Sequence, residues 1–161
     1  MGFESSATRA HTRVARTLSC VFTAALASFG ASPALAHHSY AMFDMSKSMF
    51  VEGTVAKIEW VNPHTFVWLF VAKPDKPGEY DLYGFENGPI NMLMRAGWTK
   101  ETLRIGEKLA ILYFPLKDGR TGGSFVKAIH EDGTENVGDP FAPGVAEAAK
   151  LKLPAKSGAA K

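Results

Sequence analysis

The feature that most constrains the fold is a sharp break between two strand-like segments. Residues 49–60 alternate in side-chain character and are rich in β-branched and aromatic residues, which favours a β-strand. Residues 65–72, TFVWLFVA, are almost wholly apolar and indicate a second strand. Between them lies Asn62-Pro63-His64, and a proline cannot donate a hydrogen bond to a sheet. The pattern predicts a central hairpin of a small barrel with a histidine at its bend.

Three further strands and one helix are expected after this hairpin. The strands are indicated by β-branched and aromatic residues between turn signals, over residues 79–85, 107–115 and 124–130. Residues 90–98 differ, because their apolar side chains recur at helical spacing. A polar, glycine-rich loop over residues 117–123 separates the last two strands.

This order of elements is that of an OB-fold, a five-stranded Greek-key barrel with a helix between the third and fourth strands. We therefore expect an all-β domain with one short helix, an OB-fold-like barrel, over residues 49–136. Another small barrel or a sandwich is the alternative. Closing a barrel removes exposed sheet edges, which suits a domain without disulfides.

The first 36 residues have the three parts of a secretory signal peptide. Three arginines precede residue 17, the apolar run over residues 18–30 is too short to cross a bilayer, and Ala34-Leu35-Ala36 is a cleavage site. We therefore predict export to the periplasm or the medium, cleavage after Ala36, and no membrane span once the signal is removed.

Removing this signal changes both the cysteine content and the charge. The single cysteine, Cys20, lies within it. It also carries three of the 18 basic and one of the 16 acidic residues, which leaves 15 of each. A neutral chain lacks the basic excess of a nucleic-acid or anionic-membrane binder, so no nucleic acid is expected as a partner.

Two segments flank the predicted barrel. Residues 37–48, HHSYAMFDMSKS, show no clear period and are predicted to form an extended arm. Residues 137–161 are dominated by proline, alanine, glycine and lysine. They lack the apolar content of a folded segment, so we predict a disordered tail.

Signal cleavage would make His37 the first residue, next to His38. Such a terminus combines an α-amine with two imidazoles, which suit copper(II) or nickel. His64 adds a ligand if the arm folds back over the bend, and Met42 and Met45 are candidate soft ligands for copper(I). In the alternative reading the histidines are a solvated terminus or hydrogen-bond the turn, and the methionines fill apolar gaps.

The sequence shows no recognisable reactive constellation. Its serines lie in no nucleophile-elbow pattern, and the loop over residues 117–123 lacks the spacing of a phosphate-binding loop. We therefore expect a protein without enzymatic activity. An OB-fold also suggests binding by aromatic side chains on the barrel face, for which Trp60 and Trp68 are candidates, and the bend residue Asn62 is a further candidate binding residue.

Several short motifs are spread along the chain: HHS at residues 37–39, WVNPH at 60–64, ENGP at 86–89, RAGW at 95–98 and KDG at 117–119. Together they resemble those of one family, DUF6152, which comprises exported bacterial proteins of unknown function. The resemblance covers approximately residues 37–133 and implies a small exported domain, but no activity and no catalytic residues.

These observations lead to two hypotheses. The first is a periplasmic, non-enzymatic binding domain that holds a transition metal, with copper as the candidate cofactor, at His37, His38 and His64. The second is a protein-interaction module of an envelope complex, with an envelope protein as partner and structural histidines.

Overall fold

The computed structural model describes residues 39–154, and its principal element is a sheet that closes on itself. Neighbouring strands run in the order β3-β2-β1-β4-β5, and a parallel pairing of β3 with β5 closes the barrel. The predicted all-β, OB-fold-like barrel is confirmed, and each predicted strand lies within two residues of its observed bounds. The elements are β1 (Met49–Glu59), β2 (Thr65–Ala72), β3 (Tyr80–Asn87), α1 (Ile90–Arg95), β4 (Lys108–Pro115) and β5 (Gly122–His130).

The long strand β1 belongs to both halves of the barrel. Thr54 on β1 pairs with Phe70 of β2 on one side and with Lys108 of β4 on the other. The register against β2 shifts between Val55 and Lys57, which marks a bulge in β1. A bulge increases local twist and bends the strand, and this bend allows β1 to curve around the barrel.

The barrel closes through a seam where Gly84–Glu86 of β3 run parallel to Gly122–Ser124 of β5. A Cβ atom on Gly122 would lie 2.0 Å from the carbonyl oxygen of Gly84, and Gly122 has a φ of +108°. Only glycine combines this backbone conformation with so close an approach. The ring of Trp68 covers Gly84 on the outside, where a Cβ would lie 2.6 Å from a ring carbon.

Strands β4 and β5 carry apolar side chains on both faces, because successive residues of a strand point to opposite sides. Ile111 therefore joins the core inside the barrel, and Leu112 joins a second cluster outside it. The core inside also includes Val55, Val67, Leu69, Phe85, Leu93, Leu109, Tyr113 and Phe125. The outer cluster consists of Phe43, Leu112, Phe114, Val126, Val145 and Ala148.

The arm is packed rather than extended. Ser39–Met42 form a short 3₁₀ helix, and Phe43, which is 3% exposed, pairs with Leu116 in an isolated bridge. The prediction of an extended arm over residues 37–48 is therefore wrong for residues 39–48. The arm packs against the barrel because the apolar outer cluster is stabilised when side chains from outside the barrel cover it.

The tail is also folded over its described part. Strand β6 (Glu135–Val137) pairs with β5, and helix α2 (Val145–Ala148) places Val145, fully buried, in the outer cluster. The predicted disorder of residues 137–161 is therefore wrong for residues 137–154. A few small apolar residues are enough to fold this segment onto the barrel, because β4 and β5 already present an apolar outer surface. Among residues 39–154, no helix is both long and apolar enough to cross a membrane.

We expect Gly122→Ala to destabilise the protein by about 3 kcal/mol or more, because the added methyl group meets the backbone of β3. Gly119→Ala is the matched control. Gly119 has a φ of +80° but nothing within 4 Å of its Cβ position, so only the backbone strain of about 1 kcal/mol applies. Urea unfolding measures both changes, and equal losses would contradict the role of the seam.

We expect Val145→Asp to lower the free energy of unfolding by about 3 kcal/mol or more, since it buries an unpaired carboxylate in the outer cluster. Glu147→Ala on the exposed side of α2 is the control, with a change within about 0.5 kcal/mol. A disordered tail would instead leave the urea midpoint unchanged by either substitution.

Candidate metal-binding site at the Asn62-Pro63-His64 bend

The bend between β1 and β2 is fixed to the segment that connects β3 with α1. The side-chain oxygen of Asn62 accepts a hydrogen bond of 3.2 Å from the backbone N–H of Ile90. Thr65 donates its hydroxyl and its backbone N–H to the carbonyl of Gly88, at 3.1 and 3.3 Å. The peptide bond before Pro63 is cis. The hydrogen bonds of Asn62 and Thr65 hold His64 in a defined place at one end of the barrel.

His64 contacts a carboxylate on the neighbouring hairpin strand. Its Nδ1 lies 2.5 Å from Oε1 of Glu86, which is on β3 opposite Phe66 of β2. Burial raises the pKa of Glu86, and the nearby imidazole of His64 acts in the opposite direction. When Nδ1–H donates to this carboxylate, the tautomer is set and the lone pair of Nε2 points elsewhere. Within residues 39–154, Nε2 of His64 makes no hydrogen bond.

The arm reaches the same end of the barrel. Tyr40 and Glu86 line one small cavity, together with Asn87 and Ser124. Burial, followed by the negative charges of Asp139 and Glu86, raises the pKa of the Tyr40 phenol. The side chain of Tyr40 therefore lies beside the carboxylate that holds His64.

The remaining predicted metal ligands are placed differently. His37 and His38 lie outside the described residues. Met42 is 46% exposed, whereas Met45 packs against the outer cluster. Among residues 39–154, no three His, Cys, Asp or Glu side chains are grouped so that they could hold a metal ion. The described part of the site is thus His64 with Glu86 behind it.

The three predicted binding residues, Trp60, Trp68 and Asn62, do not gather in one place. Trp60 packs against the core inside the barrel. Trp68 lies on the outside, over Gly84, and stacks on Phe66 with 6.0 Å between ring centroids. Asn62 uses its side-chain oxygen to hold α1. These three residues serve the fold at three separate points.

Glu86 was not among the residues expected from the sequence to belong to the site, although a signal for it exists. The turn between β2 and β3 pairs Ala72 with Tyr80, and this register carries through to Phe66 and Glu86. The register counted from this turn therefore predicts that Glu86 lies opposite Phe66, two residues after His64. A carboxylate among the aromatic side chains of this face is the signal that could have identified Glu86 as a site residue.

The comparisons with known proteins identify a family and no activity. The family model described as a family of unknown function (DUF6152) matches residues 25–125. The chain belongs to this family. The matched range includes His37, His38, His64 and Glu86, but the family description assigns no role to them. No curated protein and no solved structure matches this DUF6152 member.

The other described histidine, His130, is engaged at both ring nitrogens. Nδ1 lies 2.5 Å from Oε1 of Glu107, and Nε2 lies 2.6 Å from Oδ1 of Asn136. The side chain of His130 is only 14% exposed. Two oxygen acceptors favour an imidazolium that donates to both. His130 thereby ties β5 to β6 and to the loop before β4, and offers no nitrogen to a metal.

The contacts of His130 predict a pH-dependent stability. Burial by itself lowers the pKa of His130, but hydrogen bonds to Asn136 and Glu107 and the charges of Glu107 and Asp132 outweigh it, so the pKa is raised. A raised pKa in the folded state means that the stabilisation is complete below about 6.5, the ordinary value. It is lost as the pH rises through the raised pKa.

We therefore expect the difference in urea midpoint between the wild type and His130→Gln to be largest below about pH 6.5 and to shrink above it. Glu107→Gln removes one partner of the imidazolium and should reduce the same pH dependence. Parallel pH profiles for the wild type and both variants would contradict this interpretation.

Proposed function

We propose that this DUF6152 member is an exported, non-enzymatic domain that binds a transition metal, preferentially copper(II), at the bend. The observation that carries the proposal is the pairing of His64 Nδ1 with Glu86 at 2.5 Å. Metal-ligating histidines usually donate the second ring N–H to a carboxylate, which orients the ring and increases its basicity. In this arrangement Nε2 is the ligand atom and Glu86 is the positioning group.

The arm supports a contribution from the histidine pair. Tyr40, which follows His38 by two residues in the sequence, lines a cavity with Glu86. After cleavage behind Ala36, the new α-amine and the imidazoles of His37 and His38 would join His64 in the proposed site. With His64 they supply four nitrogen donors, a set that copper(II) prefers in tetragonal geometry.

Export has a chemical consequence for this site. An uncleaved chain has an amide bond in place of the free amine at His37, so the complete donor set forms only after the signal is removed. The three-part signal at residues 1–36 supports this order of events. Metal loading would follow secretion and would not compete with the copper chemistry of the cell interior.

The two methionines of the arm, Met42 and Met45, differ in how accessible they are to a metal ion. Met45 is packed into the outer cluster, where its side chain contributes to stability. Met42 is 46% exposed and is two residues from Tyr40, so it is the better soft donor. A thioether would favour copper(I) and would let the site hold the ion in both oxidation states.

Isothermal titration of copper(II) into the processed chain, which begins at His37, tests the proposal. We expect one ion per chain, and Glu86→Gln should weaken binding by about 10–100-fold because it removes the group that orients His64. His64→Ala should weaken binding at least as much. A chain extended by two residues before His37 should also lose affinity, because its amine is moved.

His130→Gln is the matched control, since both nitrogens of His130 are engaged by protein atoms. It should leave the copper affinity unchanged. Equal affinity in the wild type, Glu86→Gln, His64→Ala and the extended chain would refute the site. Recovery of an envelope protein that is independent of these substitutions would then favour the alternative function, an interaction module with structural histidines.

A further inference from the structure

A second concave site lies on the outside of the barrel and shares no residue with the bend. It is a groove of about 680 Å³ that is lined by residues of all five barrel strands. Phe70 and Ala72 of β2, with Tyr80 of β3, line one side, residues 52–54 of β1 lie in the middle, and residues of β4 and β5 line the other side. Its volume falls within the range of about 300–1,000 Å³ that is typical of small-ligand sites.

One side of the groove is aromatic and already ordered. Phe70 is 48% exposed and Tyr80 is 60% exposed, although both are large side chains. Their ring centroids are 6.3 Å apart, and the rings meet edge to face at 63°. This contact holds both rings in place, and it presents two ring faces at an angle to a ligand in the groove.

The opposite side and the middle of the groove carry polar side chains among apolar ones. Within the described residues, the side chains of Thr54, Lys108 and Glu131 make no hydrogen bond or ion pair. They therefore offer one hydroxyl, one ammonium and one carboxylate to a ligand. His130 contributes positive charge, but its nitrogens are engaged by Glu107 and Asn136.

The charges of the described lining residues are balanced, because two carboxylates, Glu52 and Glu131, oppose Lys108 and the imidazolium of His130. A nucleic acid or another polyanion would gain no net attraction, because such ligands are held by an excess of Lys and Arg. A ligand that suits this groove is uncharged, has many hydroxyl groups, and carries apolar C–H faces that can lie on aromatic rings.

We propose that the groove binds a neutral oligosaccharide, with a sugar ring stacked on Phe70 and Tyr80. The hydroxyl groups of the sugar would bond with Thr54, Lys108 and Glu131. Both kinds of contact are available in one site, which neither an apolar peptide nor a polyanion would use fully. This assignment concerns a different surface from the copper site and does not depend on it.

Two-dimensional ¹H–¹⁵N NMR of the processed chain tests the proposal, with cellohexaose, chitohexaose, maltohexaose and mannohexaose added separately to about 10 mM. We expect at least one of them to shift the backbone amides of Phe70, Tyr80 and the middle of β1. Phe70→Ala and Tyr80→Ala should each weaken this binding by about tenfold, through the lost stacking. Both side chains are exposed, so the barrel should remain folded, and the amide spectrum reports this directly.

Phe141→Ala is the matched control, because Phe141 is 71% exposed but does not line the groove. It should leave the affinity unchanged. The proposal is overturned if none of the four sugars shifts the groove amides, or if Phe141→Ala weakens binding as much as Phe70→Ala. It is also overturned if a single-stranded oligothymidylate binds the groove more tightly than the best sugar.

Discussion

The close approach of β3 and β5 at Gly84 and Gly122 is the contact on which the rest of the structure depends. It closes the sheet, and the third residue of this seam is Glu86, paired with Ser124. Glu86 is thus held by β5 on one side and by Phe66 of β2 on the other. The same interaction that closes the barrel therefore fixes the carboxylate that orients His64. Stability and the candidate site are linked through three residues of backbone pairing.

The outer cluster extends this link to the arm. Phe43 is buried there, the backbone N–H of Asp44 donates to the carbonyl of Pro115 at 2.8 Å, and Lys117 Nζ donates to the carbonyl of Ala41 at 2.8 Å. These contacts anchor the chain a few residues after His38. In the proposed site, a terminus at His37 would begin only three residues before Tyr40, and so short a segment would lose little conformational entropy on binding a metal. The packing of the arm would then serve both stability and the proposed site.

The sequence predicts the barrel well because strand periodicity and turn residues are local signals. It fails at the flanks, where the decisive partner is distant. Val145 lies among alanines and glycines and is buried only because β4 and β5 have apolar outer faces. The contact of His130 with Asn136 depends likewise on β6, a strand of three residues with no clear pattern. Glu86 was within reach of prediction, since hairpin register is a local property.

The two described histidines show what decides the chemistry open to an imidazole in this fold. Each places Nδ1 2.5 Å from a glutamate oxygen, His64 on Glu86 and His130 on Glu107. The two histidines differ at Nε2. Nε2 of His130 hydrogen-bonds to Oδ1 of Asn136, so this imidazolium links β5 to β6. No described residue hydrogen-bonds to Nε2 of His64, so this nitrogen is the ligand atom of the proposed metal site. A histidine–carboxylate pair alone therefore does not indicate a metal site. The second nitrogen decides, because it can bind a metal only where no protein group hydrogen-bonds to it.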